Sequence, residues 1–124
     1  MDENAEREEA ERQVLCSRCL EVFAESQIHV IPWFNETAER YITTYRCEQC
    51  WLPSLAETRT RLSVMQDEAE IADAAEFFKR NGYFIHEYLR GDPMDVVRRI
   101  LVHMLGMMER GDIRLSIGPS APSA

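Results

Sequence analysis

The stretches CSRC, at residues 16–19, and CEQC, at residues 47–50, contain all four cysteines of this chain. Each pair has two residues between its cysteines, and 27 residues separate the pairs. A two-residue gap lets one tight turn present two sulfur atoms to the same ion, and two such turns complete the tetrahedral coordination that zinc prefers. The spacing therefore predicts one structural zinc ion, bound by Cys16, Cys19, Cys47 and Cys50.

Two other uses of the cysteines stay open at this point. A Cys-x-x-Cys motif at the start of a helix lowers the pKa of its first thiol, so Cys47 is also a candidate redox thiol. Buried cysteines can instead pack as small apolar residues. Two pairs at matching spacing favour a shared metal over both. Because four thiolates leave no open position for water or a substrate, the pattern favours a protein that is not an enzyme.

Length and composition favour one acidic globular domain, with room for a small appendage. The chain has 124 residues, 45% of them apolar, and a formal net charge of −8. Such a charge repels the phosphate backbone, so nucleic acid is not the expected partner. No apolar run approaches the length of a membrane span, and the first residues are charged rather than apolar. We therefore expect a cytoplasmic protein, where thiols stay reduced.

Charge and composition divide the chain into four predicted segments. Residues 1–12 carry six acids and two bases and are expected to form a mobile acidic arm. Residues 13–63 form the predicted zinc-binding module, and residues 64–117 a helical α+β region packed against it. Residues 118–124 offer nothing to bury and are expected to be a disordered tail.

A β-hairpin followed by a helix is expected between and after the cysteine pairs. The stretches QIHVIPWF, at 27–34, and RYITTYR, at 40–46, are rich in β-branched and aromatic residues, which are typical of strands. NETAE, at 35–39, supplies the turn. Leu55 and Leu62 are seven residues apart and share one face of the helix that follows the second pair.

A second helix is predicted over roughly 64–80. Ser63 and Gln66 have the spacing of a capping box at its start, and Gly82 stands where a helix stop is expected. Its apolar members recur at helical spacing and are expected to be buried: Ile71, Ala72, Ala75 and Phe78.

The clearest helical pattern covers 93–110, with Asp92 as the expected N-cap and Gly111 as the stop. Its polar residues form one narrow stripe, so the helix is apolar around more than half of its circumference. A helix that covers one small core needs an apolar stripe only a little over 100° wide. We therefore expect it to be covered on two sides, by the rest of this chain or by a second copy in a homodimer. YFIHEYL, at 83–89, fits either a strand or a helix, and IRLSI, at 113–117, alternates like a strand.

Residues 16–50 resemble the four-cysteine zinc ribbons and treble-clef zinc fingers. In a treble clef the second cysteine pair sits at the start of a helix, which matches CEQCWLPSLAETRTRL better than a plain ribbon does. Knuckles of this kind often carry glycine after the pair, but Leu20 and Trp51 follow here, so both subtypes stay open. His29 lies between the pairs without a partner at ligand spacing, which favours a strand-surface residue.

Aromatic and arginine side chains are concentrated near the cysteines: Trp33, Phe34, Tyr41, Tyr45, Trp51, Arg40, Arg46, Arg59 and Arg61. Such a set can form the small core over the metal, supply the hot spots of a protein interface, or stack the bases of single-stranded nucleic acid. The acidic arm and the wide apolar helix favour a protein partner. We therefore expect a zinc-stabilised interaction or adaptor module; the alternatives are a nucleic-acid-binding zinc protein and a CxxC thiol redox protein.

Overall fold

The fold is α+β, as the sequence predicts. A computed structural model describes residues 12–83 and 93–115 of the chain. Residues 1–11 of the predicted arm, the predicted tail, and all of 83–89 but its first residue lie outside these ranges. In chain order the elements are β1 (Gln13–Leu15), β2 (Val22–Ala24), β3 (Ile28–Asn35), β4 (Arg40–Cys47), α1 (Trp51–Ser63), α2 (Glu68–Arg80) and α3 (Met94–Glu109), with a short 3-10 turn at Glu25–Gln27.

Two antiparallel hairpins carry the cysteine turns. In the larger hairpin, β3 pairs with β4 from Ile28 opposite Cys47 to Asn35 opposite Arg40. The Asn35 side chain accepts a hydrogen bond from the Ala38 amide at 2.8 Å, which closes the predicted turn. The smaller hairpin, β1 with β2, was not expected from the sequence.

Helix α1 lies against the larger hairpin through its predicted apolar face. Leu55 and Leu62 are both fully buried. The Thr58 hydroxyl, also buried, donates a hydrogen bond to the carbonyl oxygen of Pro32 at 3.0 Å. This contact ties the middle of α1 to β3.

Helix α2 begins later than predicted, so the proposed Ser63 cap is wrong. The Ser63 hydroxyl donates back to the carbonyl oxygen of Thr60 at 2.8 Å, within the last turn of α1. Asp67 caps α2 instead, because its carboxylate accepts a hydrogen bond from the Ala69 amide at 2.9 Å. The predicted stop is confirmed, since Gly82 adopts a φ of 91°. Of the predicted apolar members, Ile71, Ala75 and Phe78 are buried and Ala72 is half-buried.

Helix α3 is covered on two sides by this chain, because α1 and α2 both pack against it. It begins after Pro93, which occupies the N-cap position, whereas the predicted cap Asp92 lies outside the described residues. Gly111 follows its end with a φ of 81°, as predicted. Its buried residues are Val97, Leu101, Met104, Leu105 and Met108.

The strand predicted over 113–117 is not formed in its described part. Residues 113–115 have no strand partner, and each sheet among the described residues has two strands. The side chain of Leu115 is buried in the core, and the Tyr83 hydroxyl donates to the carbonyl oxygen of Arg114 at 2.8 Å. Local alternation therefore reflects side-chain burial and not strand pairing. No helix in the described part of the chain is long and apolar enough to cross a membrane.

Candidate metal centre

The four cysteines come together at one end of the larger hairpin. Cys16 follows β1, Cys19 lies in the turn before β2, Cys47 ends β4, and Cys50 is the N-cap of α1. Their sulfur atoms all lie within 4.8 Å of one another. The inner pair, Cys16 and Cys47, is buried, while Cys19 is exposed and Cys50 half-buried.

The spacing of the sulfur atoms fits a tetrahedral metal site. Cys19 Sγ lies 3.9 Å from Cys47 Sγ. A zinc–sulfur bond of about 2.3 Å places the corners of a tetrahedron about 3.8 Å apart, whereas a disulfide needs about 2.05 Å. All four cysteines are free thiols. The group is therefore positioned to bind a metal ion, and a four-sulfur tetrahedral set suits zinc or iron.

The pKa values of these thiols show the cost of bringing them together without a cation. Burial raises the pKa of Cys16. Hydrogen bonds from backbone amides, of which that of Cys19 has the largest effect, lower this pKa to about 6. Burial and the neighbouring thiols raise the pKa of Cys50 to about 12. The Glu21 amide favours the Cys19 thiolate, yet burial and the adjacent sulfurs raise its pKa. The negative charge of one ionised thiol opposes ionisation of the others. A bound divalent cation removes this repulsion.

The start of α1 adds favourable electrostatics to the cysteine group. Its first turn contains no acidic residue, and the amides of a helix N-terminus carry a partial positive charge that stabilises thiolates. The amide of Cys47 also points at Cys16 Sγ, at 3.4 Å. Backbone dipoles therefore favour negative charge at this position.

Arg46 is a buried cation beside the cysteine group, and sequence reasoning did not anticipate its burial. Its side chain is 4% exposed, and no carboxylate of residues 12–83 or 93–115 forms an ion pair with it. Its Nε donates to Ser54 Oγ at 2.9 Å, and its guanidinium lies 4.9 Å from the ring centre of Trp33. Burial lowers the pKa of Arg46, and the charge of Cys16 opposes that effect.

The environment of Arg46 indicates an anionic cysteine group. A buried charge without a counter-charge costs several kcal/mol. Four thiolates around a divalent ion would carry a net charge of −2, which would supply that counter-charge. Arg46 directly precedes Cys47 in the sequence, but only the tertiary structure shows that its side chain is buried.

The other sequence candidates lie outside the cysteine group. The Nε2 atom of His29 lies 2.9 Å from Glu48 Oε1, and its ring stacks on Trp51 with centroids 4.2 Å apart. His103 is exposed on α3.

The aromatic and arginine residues do not form one exposed face. Tyr41 and Arg46 are buried. Arg59 pairs with Glu109 at 2.7 Å, and Arg61 forms two hydrogen bonds with the buried carboxylate of Glu70. Most of the positive charge near the cysteines is therefore used inside the fold.

Comparison of the chain with family models, with curated proteins and with solved structures finds no match.

Proposed function

We propose that the four cysteines bind one structural zinc ion, and that the folded metal centre presents a surface to a protein partner. Zinc is favoured because four thiolates in a closed tetrahedron match its usual structural sites and leave no coordination position open. The order of the elements, with a cysteine turn, a hairpin and a helix that begins at the second pair, supports the treble-clef subtype. We propose no catalytic role for the centre.

The observation that carries the interaction role is the exposed apolar surface of the first cysteine turn. Leu15, Leu20 and Val22 are 49%, 66% and 59% exposed. Leu15 and Val22 are cross-strand partners in the smaller hairpin. We name these three residues the knuckle patch. They are three of the five large hydrophobic residues that are markedly exposed in the described part of the chain, and clustered exposed apolar residues mark interaction sites.

The backbone conformation of Leu20 also supports a binding role for the knuckle patch, because this conformation is unfavourable for leucine. It adopts a φ of 66°, a left-handed conformation that costs roughly 1–2 kcal/mol for a residue with a Cβ atom. Glycine would relieve that strain at the position where zinc knuckles often carry it. A large, strained and exposed apolar side chain is better explained by binding than by folding.

Metal binding is expected to affect partner binding, because the hairpin that carries the knuckle patch is small. Strands β1 and β2 have three residues each, and an isolated two-stranded hairpin is at best marginally stable in water. The metal is therefore expected to hold the patch in place. For a homodimer through α3 the structural argument is weaker than the sequence suggested, because α1 and α2 already cover that helix on two sides.

Thiol redox chemistry is the second candidate function, favoured by one observation. Cys19 is exposed and lies 3.9 Å from Cys47 Sγ, close enough for a disulfide after a small movement. The two proposals differ in metal content. Native mass spectrometry of protein purified without added metal is expected to show one zinc per chain, lost on chelation; a metal-free protein with a disulfide would favour redox chemistry instead.

The interaction role is tested by the knuckle patch itself. Leu20→Ser is expected to abolish capture of partner proteins while one zinc stays bound. Val64→Ser is the matched control, because Val64 is 68% exposed but lies outside the metal centre. If both variants capture the same proteins as the wild type, the knuckle patch is not the interaction surface and the proposed function fails.

A further inference from the structure

Two guanidinium groups converge on one buried hydroxyl group at the start of α1, beside the cysteine group. Ser54 is fully buried in the first turn of that helix. Arg46 donates to Ser54 Oγ at 2.9 Å from its Nε, and Arg18 donates to the same oxygen at 3.5 Å from its Nη1. Both arginines are chain neighbours of cysteines, since Arg46 precedes Cys47 and Arg18 precedes Cys19. Two positive charges therefore share one neutral acceptor next to the candidate metal ligands.

This arrangement needs negative charge nearby, because like charges repel each other. Arg46 is 4% exposed and forms no ion pair with a carboxylate of residues 12–83 or 93–115. Its other hydrogen-bond acceptor, the carbonyl oxygen of Tyr45 at 3.4 Å, is also uncharged. Burial lowers the pKa of Arg46, the charge of Cys16 opposes that effect, and the charge of Arg18 adds to it. The cysteine group is therefore the source of counter-charge that the burial of Arg46 requires.

The charge of a loaded metal centre would match that of the two arginines. A divalent ion with four thiolates has a net charge of −2, and Arg18 and Arg46 together carry +2. A trivalent ion, or a divalent ion with one thiol still protonated, would leave a net charge of only −1. Since an uncompensated buried charge is costly, the two arginines favour a divalent ion with all four thiols ionised.

We propose that Arg46, assisted by Arg18, is a specificity-determining residue of the metal centre, whose charge favours a divalent ion bound by four thiolates over states of different net charge. The inference rests on the proposed function, because it concerns the charge of the same site. It also bears on the knuckle patch, since Leu20 follows Cys19 in the chain. A charge-compensated centre allows that apolar surface to enter an interface without burying net charge.

The test is a zinc competition titration of the full-length, reduced protein against a chromophoric chelator. Arg46→Met removes the charge and keeps a long side chain. It is expected to weaken zinc binding about a hundredfold, the order of effect that follows removal of one partner from a buried charge pair. Arg46→Lys keeps the charge and should bind zinc within about tenfold of the wild type.

Arg40→Met is the matched control, because it lowers the net charge by the same amount on the same strand. Arg40 is exposed at the opposite end of β4 from Cys47. Its removal should change the affinity for zinc by no more than about twofold. Equal weakening of zinc binding by Arg40→Met and Arg46→Met would overturn the proposal in favour of a general effect of net charge.

Cobalt(II), used as a probe in place of zinc, separates the charge of Arg46 from a packing role. Loss of a nearby cation raises the energy of the sulfur electrons, so the sulfur-to-cobalt charge-transfer band of Arg46→Met should shift to longer wavelength. The bands of Arg46→Lys and Arg40→Met should stay at the wild-type position. In the metal-free protein Arg46 lacks its counter-charge, so Arg46→Met should not lower the urea midpoint there. A lower midpoint without metal, together with an unshifted cobalt band, would show a packing role and overturn the proposal.

Two further results would also overturn the role of the charge. One is wild-type zinc affinity in Arg46→Met, and the other is equal weakening by Arg46→Met and Arg46→Lys. If Arg46→Met does not fold, Arg18→Met decides the question, because Arg18 is exposed. Arg18→Met should weaken zinc binding up to about fivefold and shift the cobalt band to longer wavelength. An unchanged affinity and an unchanged band in that variant would then exclude the proposal.

Failure of this inference and failure of the proposed function give different results. A wild-type protein that binds neither zinc nor cobalt(II) would remove the proposed function, and this inference with it. A wild type that binds one zinc ion, with all the arginine variants binding it equally well, would overturn the role of Arg46 alone. The metal centre and the knuckle patch would then remain.

Discussion

The two ends of the larger hairpin are stabilised in different ways. At the cysteine end the buried cluster has four residues, Val14, Cys16, Ile28 and Cys47. At the helical end the buried cluster has sixteen residues drawn from the hairpin, the three helices and Leu115. Since apolar burial is the main favourable term in folding, the helical end has its own core, and the cysteine end does not.

The difference supports the proposal that a bound metal takes the place of a core at the cysteine end. Strands β3 and β4 connect both ends, with Ile28 in the small cluster and Ile31 in the large one. The large cluster can hold the hairpin at one end without the metal, while the cysteine turns and the smaller hairpin have little else to hold them. The predictions below test this contrast, from the largest expected effect to the smallest.

Removal of the metal is expected to have the largest effect, and to act at one end only. Binding of a structural zinc ion contributes roughly 10–16 kcal/mol in zinc-finger peptides. Chelation, or Cys47→Ser, should remove amide-exchange protection from β1 and β2 but leave it in α3. Loss of protection throughout the chain would contradict the separation into two ends, and unchanged protection in β1 and β2 would contradict a structural metal.

Truncation of Leu101 tests the other end. Its side chain is fully buried in α3, so Leu101→Ala should lower the free energy of unfolding by about 2–5 kcal/mol. Metal stoichiometry should stay at one per chain. Leu52→Ala is the control, because Leu52 is 45% exposed and its truncation should change urea unfolding little.

Tyr41→Phe tests the buried polar contact between the hairpin and α2. The Tyr41 hydroxyl donates to Glu70 Oε2 at 2.7 Å. Loss of this hydrogen bond should lower the free energy of unfolding by about 1–2 kcal/mol at pH 7, as measured by urea unfolding. Tyr45→Phe is the control, since the Tyr45 hydroxyl forms no hydrogen bond with the described residues.

The same variant has a pH signature. Burial, together with the Glu70 carboxylate, raises the pKa of Tyr41 well above its ordinary value. In the unfolded chain tyrosine ionises near pH 10, so the folded state binds the extra proton. The wild type should therefore lose stability as the pH rises past about 10. Tyr41→Phe removes this pH dependence. The difference in the free energy of unfolding between the wild type and the variant should therefore shrink between pH 9 and pH 11. A difference that stays constant over this range would contradict the raised pKa.

Asp67→Ala tests the observed start of α2. Loss of the cap should lower the free energy of unfolding by about 1 kcal/mol, as measured by thermal or urea unfolding. Ser63→Ala should cost clearly less, because Ser63 bonds within α1. The reverse order would restore the capping box that the sequence suggested.

Leu20→Gly is expected to have the smallest effect on stability, and in the favourable direction. Relief of the left-handed strain, less the extra flexibility of glycine in the unfolded chain, should stabilise the metal centre by about 0.5 kcal/mol. Leu20→Ala removes the large side chain but keeps the strain, and should give no gain. Zinc competition with a chromophoric chelator measures the difference. Partner capture should fall in both variants, so a gain in stability would accompany a loss of binding.

Several features of the fold could be predicted because they repeat along the chain. Two matched cysteine pairs predicted the grouping of Cys16, Cys19, Cys47 and Cys50, which is confirmed at separations within 4.8 Å. Runs of β-branched and aromatic residues predicted β3 and β4, and helical spacing of leucines predicted α1. Strands β1 and β2 were missed because three residues are too few to show a period.

The start of α2 was misplaced because the sequence contains two residues near that point that can each cap a helix, and only Ser63 was considered. Ser63 and Asp67 both have side-chain oxygens that can accept a hydrogen bond from a helix amide. The end of α1 engages the Ser63 hydroxyl through Thr60 and leaves Asp67 to begin the next helix. Neighbouring structure, and not residue type, decided between them.

The sequence by itself determined the larger hairpin, the presence of the three helices and the grouping of the thiols, because these follow from local periodicity and from the spacing of paired cysteines. Tertiary structure alone decided which side chains are buried or exposed. It placed Arg46 beside the cysteine group with no carboxylate partner among residues 12–83 and 93–115, covered α3 with α1 and α2, and left Leu20 exposed in a left-handed conformation. The physical reason is that burial and charge compensation depend on elements distant in the sequence, whereas periodicity and turn spacing are local.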